Sequence, residues 1–301
     1  MKTAYLGTSD FAATVLRRLA ASPHRPRLVV TPPDRRQGRG RKVSPPPAAI
    51  AAAELGLELL QAENVNDEAA LARIRAAEPE AVVVCAFGQL IREPLLSEYP
   101  MLNVHPSLLP RWRGAAPIER AIMARDQVTG VCVMQLTEGL DSGPVALCEE
   151  SPLDPDEDFG ALSARLAKLG GDLLVRALDL QAEGALPLAE QNEDGVTYAE
   201  KIKPAERRLD PERPAAELAA QVRALTPHVG AYLELPDDER LGVRQAIADA
   251  GDLDAGSLAE YEGDLLLGTA EGALRLEVVQ PAGGKPMPAE AYLRGHPLPG
   301  S

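Results

Sequence analysis

The run Ala81-Val82-Val83-Val84-Cys85-Ala86 restricts this chain more than any other segment. It carries no polar side chain, and such a run suits a strand buried on both faces, the setting of a parallel sheet. Parallel strands need crossover helices, and the first half of the chain supplies them. Lys2–Leu6 reads as a strand, and Thr8–Ala20 carries Phe11, Val15 and Leu19 at helical spacing. Leu28–Val30 is the next strand. Pro45–Leu55 opens with prolines, which suit a helix start, and continues rich in alanine. Leu57–Leu60, Glu68–Ala77 and Met101–Val104 read as strand, helix and strand. This βαβα rhythm predicts an α/β fold with a doubly wound, mostly parallel sheet of Rossmann-like kind.

After residue 127 the rhythm changes. Gly130–Thr137 and Pro144–Cys148 are strand-like, with the turn-rich Glu138-Gly139-Leu140-Asp141-Ser142-Gly143 between them. Glu157–Glu183 is a long helical stretch, and residues 184–210 are polar and irregular. A helix from Pro214 to Leu225 follows, then strands at Ala231–Leu235, Gly242–Ile247, Asp264–Gly268 and Leu274–Val279. The 301 residues suggest two domains. We expect an α/β domain over 1–188, a linker over 189–207, and a small β-barrel of OB-like architecture over 208–301.

No apolar run is long enough for a membrane span, and no signal peptide is evident at Met1–Gly7. Three cysteines, Cys85, Cys132 and Cys148, lie in apolar runs without metal-ligand spacing. They read as buried thiols, and a cytoplasmic location is expected. Lys and Arg number 31 against 45 Asp and Glu, a net charge of −14. Taken alone that disfavours nucleic acid, but charges are screened beyond about 8 Å at physiological salt, so a local basic patch can act on its own.

Of the four histidines only His105 follows a buried-looking strand among polar groups. Asn103 and His105 stand at i and i+2 and so share a strand face. They lie at the carboxyl end of a strand, where open α/β sheets bind ligands. Asp141 is a third candidate, in a tight polar turn where a plain turn carboxylate is the simpler reading. Its proximity to His105 does not follow from the sequence. If the three meet, a carboxylate favours the charged imidazole, and imidazolium and amide can both donate to an oxyanion.

The segments Asn103-Val104-His105-Pro106-Ser107-Leu108-Leu109-Pro110, Arg113-Gly114-Ala115-Ala116-Pro117 and Gly139-Leu140-Asp141-Ser142-Gly143 resemble, in order, the folate-dependent formyltransferase superfamily. The resemblance implies that Asn103, His105 and Asp141 are catalytic. It implies 10-formyltetrahydrofolate as donor, bound near Phe87, Gly88, Gln89 and Leu90, near Ser107, Leu108, Leu109 and Pro110, and near Asp141. No metal is expected. Phe87 stands where the family pattern suggests tyrosine.

Four features resemble the branch acting on methionyl-tRNA. The insertion 33–43 carries Arg35, Arg36, Arg39, Arg41 and Lys42 against one acidic residue, with Gly38 and Gly40 to loosen it. Basic side chains gain affinity for phosphates by releasing counterions, so these five are the tRNA candidates. Arg111-Trp112-Arg113, Thr197-Tyr198-Ala199-Glu200-Lys201-Ile202, and the closing segments around Lys285 and Arg294 are the others. Methionyl-initiator tRNA is thus the expected acceptor, with no obligate protein partner evident. A formyltransferase acting on sugar nucleotides is the nearest rival and has no need of the basic insertion. A dinucleotide-dependent oxidoreductase is disfavoured, because Leu6-Gly7-Thr8-Ser9-Asp10-Phe11 lacks the Gly-x-Gly-x-x-Gly spacing.

Overall fold

A computed structural model describes residues 1–37, 42–235, 239–296 and 298. Strand β1 (Thr3–Gly7) is buried throughout and leads into α1 (Asp10–Ala20). The Ser9 hydroxyl caps that helix by accepting from Ala12 N. β2 (Pro26–Thr31) follows, then a hairpin of β3 (Arg35–Gln37) and β4 (Lys42–Ser44), in which Arg36 lies opposite Val43. Next come α2 (Pro47–Glu54), β5 (Glu58–Gln61), α3 (Glu68–Ala76), β6 (Ala81–Cys85), the single turn α4 (Leu95–Glu98) and β7 (Met101–His105). The short β8 (Arg113–Gly114) precedes α5 (Pro117–Met123). The antiparallel pair β9 (Val128–Gln135) and β10 (Val145–Pro152) leads to α6 (Phe159–Ala182). After β11 (Tyr198–Ala199) and a 3-10 turn at Pro204–Arg207 come α7 (Ala215–Leu225), β12 (Ala231–Glu234), β13 (Arg240–Asp249), β14 (Leu258–Tyr261), β15 (Asp264–Gly268), β16 (Ala273–Gln280), β17 (Met287–Pro288) and α8 (Ala289–Leu293).

Contacts divide the chain into two compact units. The first comprises Met1–Gly114, Val128–Pro152 and Ser163–Tyr198. Its sheet has the order β10-β9-β7-β6-β1-β2-β5. β5, β2, β1, β6 and β7 are parallel, as the apolar run in β6 requires, and β9 and β10 extend the sheet antiparallel. Leu6, Leu28, Val30, Val82, Val84 and Met101 form one side of its core. On the other side, α6 comes close at Gly170, where an added Cβ would lie 2.8 Å from the Val104 side chain. Val104 therefore faces α6, and the alternation of a strand turns Asn103 and His105 to the opposite face.

The second unit comprises Ala115–Gln127, Leu153–Leu162 and Ala199–Ser301. Its strands run in the order β12-β13-β16-β15-β14, with β17 also on β16, all antiparallel. Leu218, Val222 and Leu225 of α7 pack with Val243, Leu267, Leu274 and Leu276. The Arg120 guanidinium grips the Glu206 carboxylate at 2.5 and 3.2 Å. Among the described residues no helix is long and apolar enough to cross a membrane.

One expectation needs correction. Cys132 and Cys148 lie directly opposite each other in the β9–β10 register and are joined by a disulfide. Only Cys85 of the three remains a buried free thiol, its pKa pushed up to about 12 by desolvation.

Candidate active site

β7 delivers Asn103 and His105 to one face at its carboxyl end, and the turn between β9 and β10 delivers Asp141 to them. All three are largely enclosed: Asn103 is 8 % exposed, and the His105 and Asp141 side chains are 5 % and 13 % exposed. Asn103 Nδ2 donates to Asp141 Oδ1 at 3.3 Å. Asp141 Oδ2 stands 3.6 Å from His105 Nδ1, an ion-pair distance rather than a hydrogen bond. That same oxygen accepts from the Gly114 N–H at 2.9 Å. Gly114 has φ +122°, a conformation L side chains rarely adopt, which lets its amide turn toward the carboxylate.

The other face of the imidazole is fixed as well. His105 Nε2 lies 2.9 Å from the Trp112 carbonyl oxygen. A carbonyl only accepts, so Nε2 carries a hydrogen, and Nδ1 is the nitrogen turned toward Asp141. Trp112 presents that carbonyl from φ +62°, and Asp141 sits at φ +46°. Two strained residues thus hold the groups flanking one histidine, each conformation costing of the order of 1–3 kcal/mol. The Trp112 N–H is secured by Thr197 Oγ1 at 2.9 Å, and the Arg113 N–H by the Thr197 carbonyl at 2.9 Å. The Arg111 guanidinium lies over the Trp112 ring, 4.3 Å from its centroid.

The remaining candidates fall in three groups. Ser107 is fully buried, and its hydroxyl donates to the Arg111 carbonyl at 2.6 Å, so it braces the loop. Leu108, Leu109 and Pro110 are half-buried around a cis Leu109–Pro110 bond. Beyond β6, Phe87 is buried and its carbonyl accepts from Thr8 Oγ1, while Gly88 is exposed and Leu90 is 64 % exposed. The Gln89 amide is committed to backbone: Oε1 accepts from Val65 N at 2.8 Å, and Nε2 donates to Ala62 O at 2.9 Å. Arg35 and Arg36 are exposed on β3, and Lys42 lies opposite Gln37 on β4. Arg39 and Arg41 lie outside the described residues.

Sequence reasoning missed the backbone groups, the Gly114 N–H and the Trp112 carbonyl. Their only traces were the motif segments Arg111-Trp112-Arg113 and Arg113-Gly114, because backbone direction leaves no mark on residue type. Among the described residues no group of three or more His, Cys, Asp or Glu comes together that could hold a metal ion. Chemically, the site offers an amide N–H, an imidazole with Nδ1 turned to the carboxylate, and a carboxylate pinned beside both. That combination suits stabilising an oxyanion and moving a proton.

Comparison with known proteins places this arrangement in context. A family described as "Formyl transferase" matches residues 1–178, and "Formyl transferase, C-terminal domain" matches 201–297. A methionyl-tRNA formyltransferase of Halorhodospira halophila is 44 % identical over 298 residues, covering 98 % of this chain and 96 % of that protein. One from Methylobacillus flagellatus is 42 % identical over 302 residues, covering 99 % and 97 %. Among solved structures, the Helicobacter canadensis N-formyltransferase with folinic acid and dTDP-3-aminofucose superposes with a TM-score of 0.68 at 12 % identity, over 92 % of this chain and 98 % of that one. HypX from Aquifex aeolicus with tetrahydrofolic acid gives 0.65 at 16 % identity, over 97 % and 47 %. At those identities the likeness is one of fold.

Proposed function

From the premise that the chain belongs to the formyl transferase family, we propose that it moves the formyl group of 10-formyltetrahydrofolate to the α-amino group of methionyl-initiator tRNA. Relatives above 40 % identity over nearly the whole chain carry the acceptor assignment. The observation that carries the chemistry is the enclosed convergence of Asn103, His105 and Asp141. The product serves translation initiation, so the cytoplasm is the fitting compartment.

The neutral amine attacks the formyl carbon, forming the new N–C bond and leaving charge on the formyl oxygen. Asn103 Nδ2–H and protonated His105 Nδ1–H donate to that oxyanion. Nε2 cannot serve, being held on the Trp112 carbonyl. Asp141, through water, passes the amine proton to the departing folate nitrogen as the old C–N bond breaks. The fixed Asp141–Gly114 contact keeps the carboxylate in place, so little reorganisation is needed at the moment of transfer.

Donor recognition falls to the backbone and exposed edge of residues 86–91 and to the half-buried Leu108-Leu109-Pro110 segment. The side chains of Gln89 and Ser107 are spent on internal bonds. Acceptor recognition falls in part to Arg35, Arg36, Arg39, Arg41 and Lys42. The test is a transfer assay following tetrahydrofolate release, with methionyl-initiator tRNA, uncharged tRNA or an amino-sugar nucleotide as acceptor. Turnover with methionyl-tRNA alone is expected. Turnover with the sugar nucleotide and none with tRNA would keep the trio and overturn the acceptor.

A further inference from the structure

Gln191 lies in the polar, irregular segment between α6 and β11 that composition marks as a linker. Its side-chain amide is bonded at both its nitrogen and its oxygen. Nε2 donates to the Asp141 carbonyl at 2.9 Å and to the Gly143 carbonyl at 2.8 Å. Oε1 accepts from Arg113 Nε at 2.9 Å. An amide nitrogen has two hydrogens, and a guanidinium only donates, so the orientation of the group is set by chemistry. Arg113 is 5 % exposed, and this bond satisfies part of a buried cation.

The three partners are those that set the catalytic geometry. Asp141 holds φ +46°, and its carbonyl is one of the two that Gln191 gathers. Arg113 immediately precedes Gly114, whose N–H holds the Asp141 carboxylate. One side chain thus ties together both ends of Asp141: the main chain directly, and the carboxylate through β8. The segment that carries Gln191 is itself registered on β10, since Ala189 and Val145 exchange both backbone hydrogen bonds at 2.8 and 2.9 Å. No other side chain of similar length fits the three contacts. A glutamate would set anionic oxygens against two carbonyls, and a lysine would face the Arg113 cation.

We propose that Gln191 is a positioning residue for formyl transfer, which holds the Asp141 turn and the Arg113–Gly114 strand so that the carboxylate stays beside His105. This rests on the reading of Asn103, His105 and Asp141 as the reacting groups. Gln191 spends its amide on Arg113, Asp141 and Gly143. Its removal therefore slows the chemical step and leaves both substrates bound as before, and its effect vanishes once the carboxylate it positions is gone. A displacement of about 1 Å in a reacting group can cost on the order of 100-fold in rate.

The experiment is a double-mutant cycle on the full chain, with Gln191→Ala, Asp141→Asn and the pair. It is read as kcat, as KM for donor and for methionyl-tRNA, and as the thermal midpoint. Gln191→Glu serves as a second variant that keeps the side-chain volume. Expected are a kcat loss of about 10- to 100-fold for either Gln191 variant, both KM values within about 2-fold, and no further loss when Gln191→Ala is added to Asp141→Asn. Near-normal kcat in both Gln191 variants, with Asp141→Asn slow, would overturn the role of Gln191 alone. Losses that multiply in the pair would make Gln191 a general structural support and equally overturn it. Full turnover by Asp141→Asn would remove the catalytic reading beneath it, an outcome read from that single variant without reference to Gln191.

Discussion

His105 donates from one nitrogen to the Trp112 carbonyl and sets the other 3.6 Å from the Asp141 carboxylate. A single side chain is therefore oriented by backbone on one edge and faces a carboxylate on the other. Replacing His105 with Ala removes the imidazole donor. A loss of about 100- to 1000-fold in kcat is expected, with the Kd for methionyl-tRNA nearly unchanged; near-normal turnover would place the chemistry elsewhere. Away from the site, one carboxylate sets an acid limit on stability. The Arg120 guanidinium, hydrogen-bonded to Glu206, holds that carboxyl below its usual value of 4.5. A group whose folded pKa is depressed stabilises the fold above its unfolded value and loses that contribution as pH falls through the folded one. The second unit is thus expected to lose about 1 kcal/mol on acidification below pH 4.5, the figure reduced for partial exposure of the pair. Glu206→Gln should flatten that limb of a pH-dependent unfolding curve, and an unaltered limb would discount the pair. Asn103 and His105 were legible because strand alternation is a property of the sequence. The approach of Asp141 was not, because it depends on β9 pairing antiparallel with β7 and on a turn that reverses the chain.

At the scale of the element, β7, β9 and β10 set His105, Cys132 and Cys148 in one cross-strand row. Directly opposed residues in antiparallel strands share a face, so the disulfide sits on the same side of the sheet as the imidazole. The cysteines are 16 residues apart and flank Leu140 symmetrically, so a hairpin centred on that turn makes them partners. Apolar context alone read them as separate thiols, because context reports burial and not register. Closing a loop of this length stabilises by about 3 kcal/mol in the chain-entropy account. Adding a dithiol reductant should lower the thermal midpoint of the air-oxidised protein and leave Cys148→Ser unmoved. Equal midpoints with and without reductant would mean that the pair contributes no stability. The rhythm of alternating elements placed the parallel strands well, since a run such as 81–86 has few alternatives. It did not place β8 or β11, two-residue strands whose pairing rests on backbone bonds such as Arg113 N to Thr197 O. Residues 189–207 read as a linker because that segment is polar and irregular. Gln191 within it turns its amide inward to the Asp141 and Gly143 carbonyls while Glu190, Asn192, Glu193 and Asp194 around it are exposed, and composition does not distinguish the two cases.

At the scale of the whole molecule, a net charge of −14 must coexist with a polyanionic acceptor. Long-range attraction cannot be the means, so affinity has to come from basic side chains within contact distance of phosphates. Under the reading proposed above that need falls to Arg35 and Arg36, which are exposed on β3 and paired with β4. Each phosphate neutralised releases counterions, so the logarithm of the binding constant falls linearly with the logarithm of salt, by about 0.7–0.9 per contact. Arg35→Ala with Arg36→Ala should therefore weaken methionyl-tRNA binding at low salt and reduce the magnitude of that slope by roughly 2, about 1 for each arginine. At saturating tRNA, kcat should hold, because neither residue belongs to the enclosed trio. Titrations at several salt concentrations separate the possibilities. A parallel line displaced downward would mean that the arginines act through the shape of the hairpin. An unchanged line would take the hairpin out of the interface and leave the acceptor held by other surfaces of the protein.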